Sequence, residues 1–234
     1  MPIALEDGFL QTHDLAHVSC LGIETARLGA CIERIKAKKI KGVFGSPSFG
    51  FEGSDLDFLS ELPWIEAVWF WDVQLKSIEG LHALENLRHF GVHPKRPAID
   101  FSRFPKLRKM VIEPKGKDSG IETLKELELL HIWHYRPKDK TFSALALPEA
   151  LTELQINWAN PMSLESLPAH ACLRRLEIHQ CRNLSDLGNL GEKYPHLEHL
   201  VIGACGRVSL SEGERVVRDL PKLSHAHVQS AKLL

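Results

Sequence analysis

The sequence has almost no net charge: 29 Lys and Arg stand against 30 Asp and Glu in 234 residues. No global field therefore draws the chain to nucleic acid or to an anionic membrane. Apolar runs stop after a few residues, far short of the ~20 a spanning helix needs. Cysteine is scarce and odd in number, five in all, with no CxxC spacing. That argues against a disulfide framework or a zinc knuckle and fits a reducing compartment. The opening MPIALEDGFLQTHD is acidic and lacks a basic stretch followed by an apolar one, so we expect a cytoplasmic protein without a secretory signal. Motifs for chemistry are missing too. Gly42, Gly45, Gly50 and Gly53 are not followed by Gly-Lys-Ser/Thr, and no GxGxxG or GxSxG occurs. The stretch 42–55 is expected to be a loop. His13 and His17 have helical spacing in HDLAH but lack the glutamate of HExxH, which leaves a surface pair. We expect no enzyme, no cofactor and no resident metal.

What the sequence does have is a repeat. The pattern apolar-x-x-apolar-x-apolar recurs as Ile65-Val68-Phe70, Leu87-Phe90-Val92, Leu107-Met110-Ile112 and Leu127-Leu130-Ile132. It continues as Leu151-Leu154-Ile156, Leu173-Leu176-Ile178, Leu197-Leu200-Ile202 and Leu223-Ala226-Val228. First positions are 20 to 26 residues apart, and seven of the eight are Leu. Four repeats are entered through Pro-x, at Pro63, Pro105, Pro195 and Pro221. Proline is tolerated just ahead of a strand, where no ladder donor is required.

Over about residues 60–230 this pattern resembles the leucine-rich repeat superfamily, whose short unit carries the same Leu-x-x-Leu-x-Leu strand. LPEALTELQINWANPMSLESLP (147–168) is similar to the regular bacterial subtype. LRRLEIHQCRNLSDLGNL (173–190) is similar to the cysteine-bearing one, with Cys181 and Cys205 in the asparagine slot. Elsewhere that slot holds Val73, Lys95, Lys115 or Tyr135. The resemblance implies an α/β fold: an irregular solenoid with one parallel strand per repeat on its concave face and short helical segments behind. Residues 1–39 are expected to form a helical N-terminal cap, with Leu28, Cys31, Ile32 and Ile35 on one face of a helix over 22–37. Residues 40–234 would be the solenoid, with Ile40–Phe44 a first degenerate strand. A helix over 211–219 is expected to start in the capping box Ser211-Glu212-Gly213-Glu214.

Strand alternation turns slots four and six inward and slots three, five and seven outward. With slot eight added, the 32 outward positions hold eight of 13 His and four of five Trp. About three His would be expected there if they were spread over the accessible positions of a chain this size. Exposed indoles are costly to solvate and are typical interface anchors. The candidate partner-binding set is Trp69, Trp71, His93, Glu113, His131, Trp133, His134, Trp158, Glu177 and His179. Trp69 and Trp71, near the start of the array, could equally be covered by the N-terminal segment. The function expected is a non-enzymatic module holding one protein partner on its concave sheet. Stand-alone effectors and immunity-type inhibitors are the settings the resemblance implies. A metal-dependent enzyme or small-ligand site on the histidine stripe is the alternative.

Overall fold

The computed structural model describes residues 3–13 and 17–234; residues 14–16 of the HDLAH motif lie outside them. The protein is α/β, with mostly parallel sheet and few helices, and the chain divides into two compact units, Met1–Gly120 and Ile121–Leu234.

In the first unit the strands follow chain order. β1 (Ala4–Glu6) and β2 (Phe9–Thr12) form an antiparallel hairpin, turned at Asp7 and Gly8, both at positive φ. β2 pairs antiparallel with β3 (Cys20–Gly22). From there pairing is parallel through β4 (Gly42–Gly45), β5 (Ala67–Gln74), β6 (His89–Lys95) and β7 (Lys109–Ile112). Helix α1 (Leu28–Lys38) makes the crossover from β3 to β4. It buries Cys31, Ile32 and Ile35 and stops at Lys39, whose left-handed backbone returns its N–H to the carbonyls of Ile35 and Lys36. The remaining returns are short 3-10 turns, such as Asp57–Glu61, Glu79–Ala83 and Phe101–Arg103.

Two expectations change here. The N-terminal segment is not only helical: its helix is confined to 28–38, and three strands precede it. The stretch 42–55 is not all loop, because its first four residues form β4, bonded on one side to β3 and on the other to β5. The strand expected at Ile40–Phe44 is thus present, shifted to Gly42–Gly45 and overlapping the start of the expected loop.

The second unit holds β8 (Leu129–Trp133), β9 (Glu153–Asn157), β10 (Arg175–His179), β11 (His199–Gly203) and β12 (His225–Val228), parallel and in chain order. β13 (Ala231–Lys232) folds back antiparallel on β12. α2 (Leu190–Lys193) and α3 (Leu210–Arg218) lie on return segments. α3 begins one residue earlier than expected. Ser209, not Ser211, is its N-cap, with Oγ accepting the Glu212 N–H at 3.1 Å. The Glu212 carboxylate is then free to accept from Leu187 N and from Arg215, which ties the cap to the preceding return.

The core follows the repeat. Of the 24 slot residues, all but Leu223 are buried, none of them above 1% exposure. Leu164, Leu167, Leu184, Leu187 and Leu190 fill the space behind them. Each such side chain contributes roughly 1.5–3 kcal/mol of burial, an upper estimate against a compact unfolded chain.

A feature that no motif announced closes the strands. Slot eight is left-handed and non-glycine at Asp72, His134, Trp158, Gln180 and Ala204, with φ between 52° and 59°. At these corners the ladder is extended: His134 N donates to Asn157 O (2.8 Å), Trp158 N to His179 O (3.0 Å) and Gln180 N to Gly203 O (2.9 Å). These bonds offset the roughly 1 kcal/mol or more that a left-handed side-chain-bearing residue costs.

Candidate functional site

The outward rows can now be read unit by unit. In the first unit, Trp69 and Trp71 project from β5 but are only partly exposed. They pack against the core group Cys20, Phe44 and Ala67, together with Ile3, Leu10, Val18 and Phe49. Trp71 stacks on Phe44 (6.2 Å between centroids, 14°) and meets Phe49 edge-on at 5.7 Å. The Trp69 ring lies across its strand neighbour Gly91, where a Cβ would come within 2.8 Å of the indole. The N-terminal residues Ile3, Leu10 and Val18 thus share one apolar group with both rings. His93 is half-buried on β6, and Glu113, just past β7, takes an ion pair from Lys115 at 2.9 Å. His89, beside Lys109, is half-buried. Burial, then the charges of Lys109 and Arg108, push its pKa down to about 4.

The second unit carries its own ring cluster. His131 and Trp133 leave β8 on the outward face, and the left-handed corners re-aim His134 and Trp158 beside them. Trp133 and Trp158 are 4.8 Å apart, His134 stacks on Trp158 at 5.4 Å and 24°, and His131 lies 5.1 Å from Trp133. All four are half-buried. Under them Asn157, buried at 5% exposure, is hydrogen-bonded to the His131 ring. Offset ring pairs of this kind add about 0.5–1.5 kcal/mol each beyond their buried area. The cluster is therefore held in shape before anything binds it.

Further along the same face the groups become ionic. Glu177 on β10 accepts from Arg175 (2.9 Å) and His179 (3.2 Å) and lies 3.3 Å from His199. Burial would raise its carboxyl, but the hydrogen bonds from His179 and Arg175 outweigh that and hold it below the usual carboxylate range. His199 stacks face to face with His225 at 4.3 Å, and His225 with His227 at 5.9 Å. Burial, Arg175 and His225 lower the His199 pKa against the opposing pull of Glu177. His179 lies over Gly203, the same ring-over-glycine device as Trp69 on Gly91.

The structure thus brings together His131, Trp133, His134 and Trp158 as one cluster and Glu177 with His179 as another. Trp69 and Trp71 form a separate group of the first unit. Among the described residues no three or more His, Cys, Asp or Glu converge so as to hold a metal ion. Cys181 and Cys205 sit buried at successive corners, and burial with their mutual hydrogen bond raises the Cys181 thiol well above its ordinary value. Sequence reasoning missed Asn157, His199 and Arg175 as parts of the site. The slot pattern placed them on the face, but only the strand register shows that they touch the named residues. Among the described residues, no helix is long and apolar enough to cross a membrane.

Comparison with protein-family models and with curated proteins returns no match for this chain.

Proposed function

We propose that the chain is a leucine-rich-repeat-type binding module, non-enzymatic and cytosolic, that holds a protein partner on the Trp/His-rich outward face of its sheet. The observation that carries this is the Trp133–Trp158 pair, 4.8 Å apart, half-buried on the outward face and braced by His131 and His134. A preformed aromatic patch on rigid strands loses little conformational entropy on binding, and rings of this type dominate interface energetics. The neighbouring Glu177, Arg175 and His179 supply a polar rim. One strand per 20–26 residues, with its triplet inward, supports the repeat class.

The test is affinity capture from the source cell by the full chain, repeated with Trp133→Ala and His134→Ala variants whose circular dichroism and melting match the parent. A partner lost by both variants, and bound with different affinity at pH 6 and pH 8, is the expected result. Identical capture by parent and variants would remove this face from binding.

A further inference from the structure

Beyond the ends of β9 and β10, the two left-handed corners at Trp158 and Gln180 frame an open cavity of about 540 Å³ within the second unit. Its size falls in the range of ligand and side-chain pockets, roughly 300–1,000 Å³. Arg136 and Arg182 stand at its sides, both exposed, and neither has an ion pair among the described residues. No carboxylate lines it; its other polar groups are the amides of Gln180, Asn160 and Asn183. The Asn160 corner is anchored, its Nδ2 donating to Pro137 O at 3.3 Å, while Asn183 Nδ2 donates to Asn160 O at 3.5 Å. Trp158 belongs to both places. It is the cavity's aromatic wall and a member of the stacked cluster with Trp133 and His134.

We propose that this cavity receives an Asp- or Glu-bearing segment of the protein partner. The segment crosses the Trp133–Trp158 patch and places its carboxylates on Arg136 and Arg182. This rests on the docking reading above and gives it a partner chemistry. A guanidinium presents a planar fork that matches a carboxylate with two parallel hydrogen bonds, and it also lies well against an indole. In a chain with a net charge of −1, two arginines in a cavity without acids form a local cationic spot. A nucleic acid would also stack on Trp158, but it needs a track of cations along its backbone. In the rows of β9 and β10 leading up to the cavity, Arg175 is already paired with Glu153 and Glu177.

The experiment is selection of a random dodecapeptide display library on the full chain. Enriched peptides are then measured by fluorescence anisotropy against the parent, Arg136→Glu/Arg182→Glu, the milder Arg136→Gln/Arg182→Gln, and Trp133→Ala, with a labelled dT12 oligonucleotide alongside. We expect peptides enriched in Asp and Glu, weakened about tenfold or more by the double charge reversal, less by the Gln pair, and weakened by Trp133→Ala. Peptides of neutral composition that respond to Trp133→Ala but not to the arginine variants would overturn the cavity inference and leave the docking face standing. No enrichment, or peptides indifferent to every variant, would overturn both. Arginine-dependent binding of dT12 in preference to peptides would overturn the proposal in favour of a nucleic-acid site.

Discussion

Arg96 and Asp118 form an ion pair closed off from solvent, with side-chain exposures of 0% and 3%. The guanidinium meets both carboxylate oxygens at 2.8 Å, and its other donors go to Val92 O (3.2 Å) and Pro97 O (2.9 Å). The carboxylate also accepts the N–H of Ile99 (3.0 Å) and of Lys115 (2.8 Å). The pair therefore fastens the segment after β6 to the one after β7. Asp118→Leu leaves a buried guanidinium uncompensated and should cost about 3–5 kcal/mol, as should Arg96→Met from the other side. The double variant Arg96→Met/Asp118→Leu buries no charge but orphans two backbone N–H groups, at roughly 1–3 kcal/mol each. Its total should match one single variant rather than the sum of two, a coupling of about 3 kcal/mol. Urea titration of the full chain followed by tryptophan emission reads the first unit well, since Trp64, Trp69 and Trp71 lie in it. Burial would raise the Asp118 carboxyl, but hydrogen bonding and charge from Arg96 win and hold it below its ordinary 3.8. The pair's contribution is thus complete above that pH, and it is lost as pH falls through the lower folded value. A single variant costing less than about 1 kcal/mol, or two costs that simply add, would refute this reasoning.

His89, with a folded pKa of about 4 against 6.5 unfolded, gives stability that is complete above pH 6.5 and lost as pH falls toward 4. The unscreened figure of about 3 kcal/mol shrinks to roughly 1–2 for a group this exposed, and it should vanish from the pH profile of His89→Asn. Gly91→Ala sets a methyl 2.8–3.1 Å from the Trp69 ring; it should destabilise by about 1–3 kcal/mol and shift tryptophan emission, and an unchanged melt would contradict the packing. Of the five cysteines only Cys172 is exposed, and burial pushes the Cys20 thiol up to about 12. Native protein should therefore show one fast thiol by disulfide-exchange assay and five after denaturation; two fast thiols would count against the buried corners.

Legibility in the sequence varied with periodicity. The triplets from Ile65 to Val228 announce their strands because spacing alone turns them inward, and 23 of 24 are buried. The N-terminal hairpin was not legible, because strands of three or four residues carry too little alternation to separate from loop; β4 was expected as a strand at Ile40–Phe44 and lies at Gly42–Gly45. The α3 start was misplaced because Ser211 with Glu214 has the spacing of a capping box, whereas the hydrogen bond to Glu212 N is made by Ser209.

By itself, then, the order of residues determined which side chains are apolar at which interval, and hence which edge of each strand is hidden and which faces outward. It also determined that indoles and imidazoles concentrate on the open edge. What only the tertiary structure decided is which of those rings meet. Trp133 and Trp158 are 25 positions apart in the chain and touch because a left-handed corner swings Trp158 toward the neighbouring strand. Trp69 and Trp71, in slots five and seven, form a separate group because Cys20, Phe44, Ala67 and Phe49 lie against them. Slot position follows from local covalent geometry; contact follows from register and turn conformation, which are settled by hydrogen bonds between segments remote in sequence.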